Sequence, residues 1–187
     1  MKKNNLLLHV CCGPCSIYSW NKLEDNNYQV RGYFFNPNIH PYKEFARRLD
    51  ALRLLAKQEN RDIIVDERYL LEEHLRMVAN RENERCPLCY RMRLEETARK
   101  AVDEGIDNIS TTLLISPYQK HELLKKMGEE IAEKHGLHFV YEDFRVGFRE
   151  SMRQAREKGL YMQGYCGCIY SEKDRYYKDK TRTKHKT

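Results

Sequence analysis

Leu6-Leu7-Leu8-His9-Val10-Cys11-Cys12-Gly13-Pro14-Cys15 decides the fold: a largely apolar run gives way at once to cysteine, glycine and proline. Leu6–Val10 reads as a buried strand. Pro14 loses no needed hydrogen bond at a first helical position, so it opens a helix that runs to Glu24. The same alternation continues along the chain. Val30–Phe35 is a second strand, rich in aromatic and branched residues and ended by Asn36-Pro37-Asn38. Tyr42–Glu59 is helical, with Phe45, Leu49, Leu52 and Leu55-Ala56 at core-facing spacing. Ile63–Val65 gives a short third strand, followed by a helix around Leu70–Ala79. Pro87–Glu104 is a helix closed by Gly105, Ile109–Leu114 a fourth strand, and His121–His135 a helix closed by Gly136. Leu137–Tyr141 is the fifth strand and Phe148–Lys158 the last long helix. This order predicts an α/β protein with a mostly parallel five-stranded sheet and helices on both faces. No repeat, low-complexity linker or second domain boundary interrupts it. The expected organisation is a single domain over residues 1–170 with a basic tail over 171–187. Sites in such sheets lie beyond the carboxyl ends of the strands, which puts Cys11, Cys12 and Cys15 at the functional edge.

Bounds come from composition. In 187 residues no stretch approaches the roughly 18 consecutive apolar residues of a membrane helix. The first residues look like a miniature signal peptide, but the apolar run is too short and cysteines stand where a cleavage site belongs. A cytoplasmic location is expected. The net charge of +6 and a pI near 8.9 admit a polyanionic partner. Lys173–Thr187 mixes lysine and arginine with Tyr176 and Tyr177; it reads either as a frayed, solvated tail or as an arm gripping phosphates with tyrosines to stack on bases. Arg47, Arg48, Arg53, Arg91, Arg93 and Arg99 read mainly as solvated helical charge.

The seven cysteines fall into three clusters: Cys11-Cys12-Gly13-Pro14-Cys15, Cys86-Pro87-Leu88-Cys89 and Cys166-Gly167-Cys168. Clustered thiols in a chain of this kind point to a metal site or redox chemistry rather than to structural disulfides. The two Cys-x-x-Cys pairs each put both sulfurs on one face of a proline-opened helix, where the unpaired N–H groups favour thiolates. Brought together, two such pairs make a four-thiolate site. That pattern also describes structural zinc, and Cys-Gly-Pro-Cys alone describes a thioredoxin-type oxidoreductase. The adjacent Cys11 suits a polynuclear iron site better than a single zinc. Cys166 and Cys168 can close a strained, reducible disulfide or complete a second metal site. At the same edge lie His9, Asn36, Asn38, His40, Tyr118, Gln119, Tyr141, Asp143, Arg145 and Arg149. His9 is a candidate proton donor, although a strand histidine beside the core is more often structural.

With these residues in view, the chain resembles the QueH family of epoxyqueuosine reductases. The resemblance rests on His9–Ser16, Tyr33–Pro41, Cys86-Pro87-Leu88-Cys89-Tyr90-Arg91-Met92-Arg93-Leu94, Ser110–Gln119, Asp143-Phe144-Arg145 and Gln163-Gly164-Tyr165-Cys166-Gly167-Cys168, in order along nearly the whole chain. It implies reduction of epoxyqueuosine to queuosine at the wobble position of tRNA, by an iron–sulfur enzyme that needs no cobalamin. The implied ligands of a [4Fe–4S] cluster are Cys11, Cys12, Cys86 and Cys89, with Cys15 competing for one place. Cys166 and Cys168 carry over as a redox pair, or Cys15 and Cys168 as ligands of an adjacent mononuclear iron. Asp143, Tyr141 and His9 are the candidate acids, and a ferredoxin- or flavodoxin-like protein is the expected electron donor. A more distant likeness, to the PP-loop tRNA-thiolation enzymes, supports an adenine-nucleotide α-hydrolase-like, Rossmann-like sheet. Their Ser-Gly-Gly-x-Asp-Ser phosphate loop is missing here, so no ATP chemistry is expected.

Overall fold

The computed structural model describes residues 4–178. Five strands form one all-parallel sheet: β1 (Asn4–His9), β2 (Tyr28–Phe35), β3 (Ile63–Asp66), β4 (Asn108–Thr111) and β5 (His138–Phe139), in spatial order β3-β2-β1-β4-β5. The helices are α1 (Gly13–Asp25), α2 (Tyr42–Glu59), α3 (Leu71–Val78), α4 (Arg85–Asp103), α5 (His121–Lys134), α6 (Phe148–Glu157) and α7 (Ile169–Tyr176). α1 packs with α2 and α6 on one side of the sheet, and α4 packs with α5 on the other. Leu6, Leu7 and Leu8 are all fully buried, as a central strand covered on both faces requires. The strand order reverses between β1 and β4, so the crevice beyond their carboxyl ends is the switch point where ligands bind in open α/β sheets. Cys11 and Cys12 follow β1 directly into that crevice.

The α/β sheet is as the sequence predicts, and three elements differ in detail. The fourth strand stops at Thr111 rather than at Leu114, because the Thr111 hydroxyl accepts the Leu113 N–H at 3.2 Å and turns the chain into a 3-10 segment, Thr112–Ile115. β5 is shorter than Leu137–Tyr141; the Val140 carbonyl instead accepts the Ser110 hydroxyl at 2.8 Å. α7 follows Cys168 and takes in the start of the expected tail, a segment without enough apolar periodicity to announce a helix. The rest of the basic stretch, 179–187, and the leading residues 1–3 lie outside the described residues.

Gly13 fixes how closely α1 approaches α2. A Cβ there would stand 2.9 Å from the Ala51 carbonyl oxygen, and backbone cannot yield as a side chain can. Gly13→Ala is expected to cost about 1–3 kcal/mol. The check is a lower urea midpoint at unchanged slope.

Candidate metal centre

Cys11, Cys12 and Cys15 are buried and their sulfurs lie within 4.8 Å of one another; among the described residues no other set of three His, Cys, Asp or Glu ligand atoms is so close. The Cys11 and Cys12 sulfurs are 3.8 Å apart. Local structure explains the grouping. Cys12 is the extended residue before α1 and Cys15 lies in its first turn after Pro14. Cys11 is pinned by its N–H to the Thr112 hydroxyl at 3.1 Å, and that hydroxyl donates back to the Cys11 sulfur at 3.3 Å. Gln163 closes over the group, its Nε2 donating to the Cys12 sulfur at 3.0 Å and the Cys15 sulfur at 3.5 Å.

The other four thiols stand beside this triad rather than in it. Cys86 and Cys89, half-buried at the start of α4, lie close enough to Cys166 and Cys168 to feel their charge. Asn38 donates to the Cys89 sulfur at 2.9 Å, and Arg93 holds the Asn38 oxygen at 2.9 and 2.6 Å. Arg93 also donates to Asn36, whose own amide donates to the Val10 carbonyl. Asn36, Asn38 and His40 are therefore buried supports, not groups pointed outward to read a base.

Residues 163–168 form a strap across the thiols, and Arg48 holds it. Its guanidinium, 1% exposed, donates to the Cys166 carbonyl at 2.7 Å, the Tyr165 carbonyl at 2.9 Å and Glu44 at 2.7 Å. Glu44 in turn accepts from the Tyr161 hydroxyl at 2.6 Å. The Tyr165 hydroxyl donates to the His40 carbonyl, and the Gly167 carbonyl accepts the His40 N–H at 2.8 Å. Gly167 sits at φ +152°, which strains any L side chain, and a Cβ there would stand 3.2 Å from the Ile39 side chain and 3.3 Å from Arg48. Arg48 and Arg93, expected from the sequence to be solvated, are both buried. The one signal available was their place on the same helices as core-spaced apolar residues.

Two of the candidate acids, His9 and Asp143, are engaged by neighbours. His9 is fully buried: its Nε2 donates to the Phe35 carbonyl at 3.2 Å, which leaves Nδ1 to accept the Thr111 hydroxyl at 2.9 Å. Burial favours the neutral ring, and both of its nitrogens are engaged. Asp143 takes Nε and Nη2 of Arg145 at 2.8 and 2.6 Å, and this contact pulls its carboxyl down to about 2. It is ionised at neutral pH and accepts rather than donates. Tyr141 stands edge-on to His121, 6.4 Å between centroids, under the Lys125 ammonium.

Electrostatics in the triad favour one charge. Hydrogen bonds from Cys12 and Cys15 pull the Cys11 thiol well below the ordinary range. Burial pushes Cys12 up, and the hydrogen bond to Cys11 pushes Cys15 up. Burial also raises Cys89 to about 11. A metal taking all three triad sulfurs must displace the remaining protons, so its affinity rises with pH. The donor set fits such a ligand: soft sulfurs, buried, with N–H and O–H groups aimed at them and a buried guanidinium whose charge reaches Cys12 and Cys11.

His9, His40 and His74 are each held near pKa 4, chiefly by burial. Their folded pKa lies below the unfolded 6.5, so the unfolded chain binds more protons between the two. Stability is expected to be intact above pH 6.5 and to fall as pH drops toward 4, by roughly 3 kcal/mol per group. Urea titrations of the metal-free protein at pH 7.5 and 5 check this.

An open parallel sheet with a buried group of thiols at its switch point defines an α/β protein whose site suits a thiolate-bound metal. Residues 6–174 match the family model described as Epoxyqueuosine reductase QueH, and the chain belongs to that family. It is similar to the Epoxyqueuosine reductase QueH of Dehalococcoides mccartyi, 38% identical over 173 residues that cover 92% of this chain and 95% of that one. The QueH of Streptococcus pyogenes is 33% identical over 90% of this chain and 71% of its own. That of Thermotoga maritima is 32% identical, with 89% of each chain covered. Among the described residues no helix is long and apolar enough to cross a membrane.

Proposed function

We propose that this protein reduces epoxyqueuosine to queuosine at the wobble position of tRNA, in the cytoplasm, without cobalamin and without ATP. The observation that carries the reading is the buried Cys11/Cys12/Cys15 triad inside a chain matched to the family over residues 6–174. Turning the epoxide into an alkene takes two electrons and two protons and releases water. A [4Fe–4S] cluster is assigned to Cys11, Cys12, Cys86 and Cys89, with Cys15 competing for one place. Cys166 and Cys168 form a redox pair, or Cys15 and Cys168 hold an adjacent iron. A cluster bound there supplies electrons one at a time.

The chain's own groups do the rest. Gln163 and Thr112 hold the sulfurs by donating to them, Arg48 holds the strap, and Cys166 is exposed where substrate arrives. Tyr141 is the proposed proton source, since His9 has no free nitrogen and Asp143 is ionised. The wobble base lies in a single-stranded loop and enters a pocket without melting a duplex. The net charge of +6 favours the tRNA phosphates. Electrons come from a ferredoxin- or flavodoxin-like donor.

One distance favours a second reading. Two sulfurs held about 2.3 Å from one tetrahedral ion stand ~3.8 Å apart, and the Cys11 and Cys12 sulfurs are 3.8 Å apart. A single zinc at the triad would make the protein an RNA-binding module without turnover. Anaerobic purification followed by iron, sulfide and zinc analysis, with mass spectrometry of treated tRNA, separates the two. About four irons and four sulfides per chain and newly formed queuosine are expected. Zinc without sulfide, and no queuosine, would overturn the assignment; ATP-dependent addition of sulfur would make the protein a thiolation enzyme.

A further inference from the structure

The turn after β4 carries an aromatic ring that the protein itself does not use. Tyr118 is 86% exposed, yet the turn beneath it is fastened at every step. Its own N–H goes to the Ser116 hydroxyl and the Gln119 N–H to the Ser116 carbonyl, both at 3.3 Å. The Tyr90 hydroxyl accepts the Lys120 N–H at 3.2 Å and donates to the Gln119 side chain at 2.6 Å. The other end of the Gln119 amide donates to the Cys166 sulfur at 3.3 Å. A single exposed tyrosine needs no explanation; a ring on a fastened turn, next in sequence to a residue that touches the exposed thiol, is different.

The surroundings suit the same ligand. Val146, 81% exposed, stands on the 3-10 turn Phe144–Gly147, which packs against Thr112–Ile115. Close by, His121 is buried with both ring nitrogens unpartnered, among Tyr141, Asp143 and Arg145. The turns that leave β4 and β5 thus offer apolar faces, a buried polar ring without a partner, and the cation Lys120, with Arg145 paired to Asp143 beside them. That combination matches an unpaired nucleotide: an apolar base face, polar edges and a phosphate.

The geometry points to Tyr118 as a stacking platform for an unpaired base flanking the wobble nucleotide, fixing the anticodon loop while the modified base reaches the thiols. This rests on the proposed activity. Base–aromatic stacking sets the expected size, about 5- to 150-fold in affinity. Fluorescence anisotropy with a labelled anticodon stem-loop RNA, using the metal-loaded full-length chain, measures it. Tyr118→Ala is expected to weaken binding within that range while metal content stays at the wild-type level, and Tyr118→Trp is expected to restore binding. Binding by Tyr118→Ala within twofold of wild type, or no recovery with tryptophan, overturns the stacking role. The two readings fail separately. Wild-type protein that binds the stem-loop but forms no queuosine defeats the activity and leaves stacking to be judged on the affinity ratio. Wild-type turnover with an unaffected Tyr118→Ala defeats stacking alone.

Discussion

Cys12→Ala is expected to leave the protein folded, to cut its metal content by more than half, and to lower queuosine formation by more than about a hundredfold. The argument is one of position. Cys12 is the fully buried member of the triad, next to the Cys11 sulfur and under the Gln163 amide. Removing a thiol there takes away a soft donor that nothing nearby replaces, since Cys86 and Cys89 lie outside the compact group. Loss of an outer partner typically costs 10–100-fold, so Gln163→Leu supplies the comparison: it keeps the sulfurs and loses only the donor. Metal analysis after anaerobic reconstitution, with turnover on the same samples, reads both. Full metal and full turnover in Cys12→Ala would remove the triad from the site.

Arg48→Met is expected to destabilise the protein by about 3–5 kcal/mol, because it leaves a buried carboxylate without its counter-charge. Glu44 is 6% exposed and would keep only the Tyr161 hydroxyl. The Tyr165 and Cys166 carbonyls would lose their donor at the same time. Adding Glu44→Gln should recover part of the loss, since it removes the stranded charge. A faster reaction of Cys166 with iodoacetamide in Arg48→Met would show the strap loosened. Equal stability and equal alkylation rates would mean that Arg48 does not hold it.

What was legible in the sequence is what repeats locally. The apolar run of β1 entering a proline-opened helix was readable, as were the core-facing positions of α2 and its ends at Tyr42 and Glu59. Arg48 and Arg93 were not. A charge on a helix is normally solvated, and what buries Arg48 is a pair of carbonyls 117 and 118 residues further along the chain. The cysteines show the same division. Their clustering marks the site. What spacing does not show is that Cys11, Cys12 and Cys15 crowd together within one motif, because the turn into α1 folds them onto each other and the β4 turn holds Cys11 in place. α7 was invisible for a third reason: Ile169–Tyr176 has no buried face.

The strap also sets an order of assembly. The triad sits at the beginning of the chain and its cover, Gln163 to Cys168, near the end. Synthesis proceeds from the amino terminus at about 5–20 residues per second, so the thiols emerge and β1 can pair with β2 well before Gln163 exists. A nascent chain therefore presents an open sulfur cup that the finished protein keeps covered. Metal delivery has its widest access during that interval, and so does any oxidant. A chain cut short before residue 160 would keep the cup and never gain the roof.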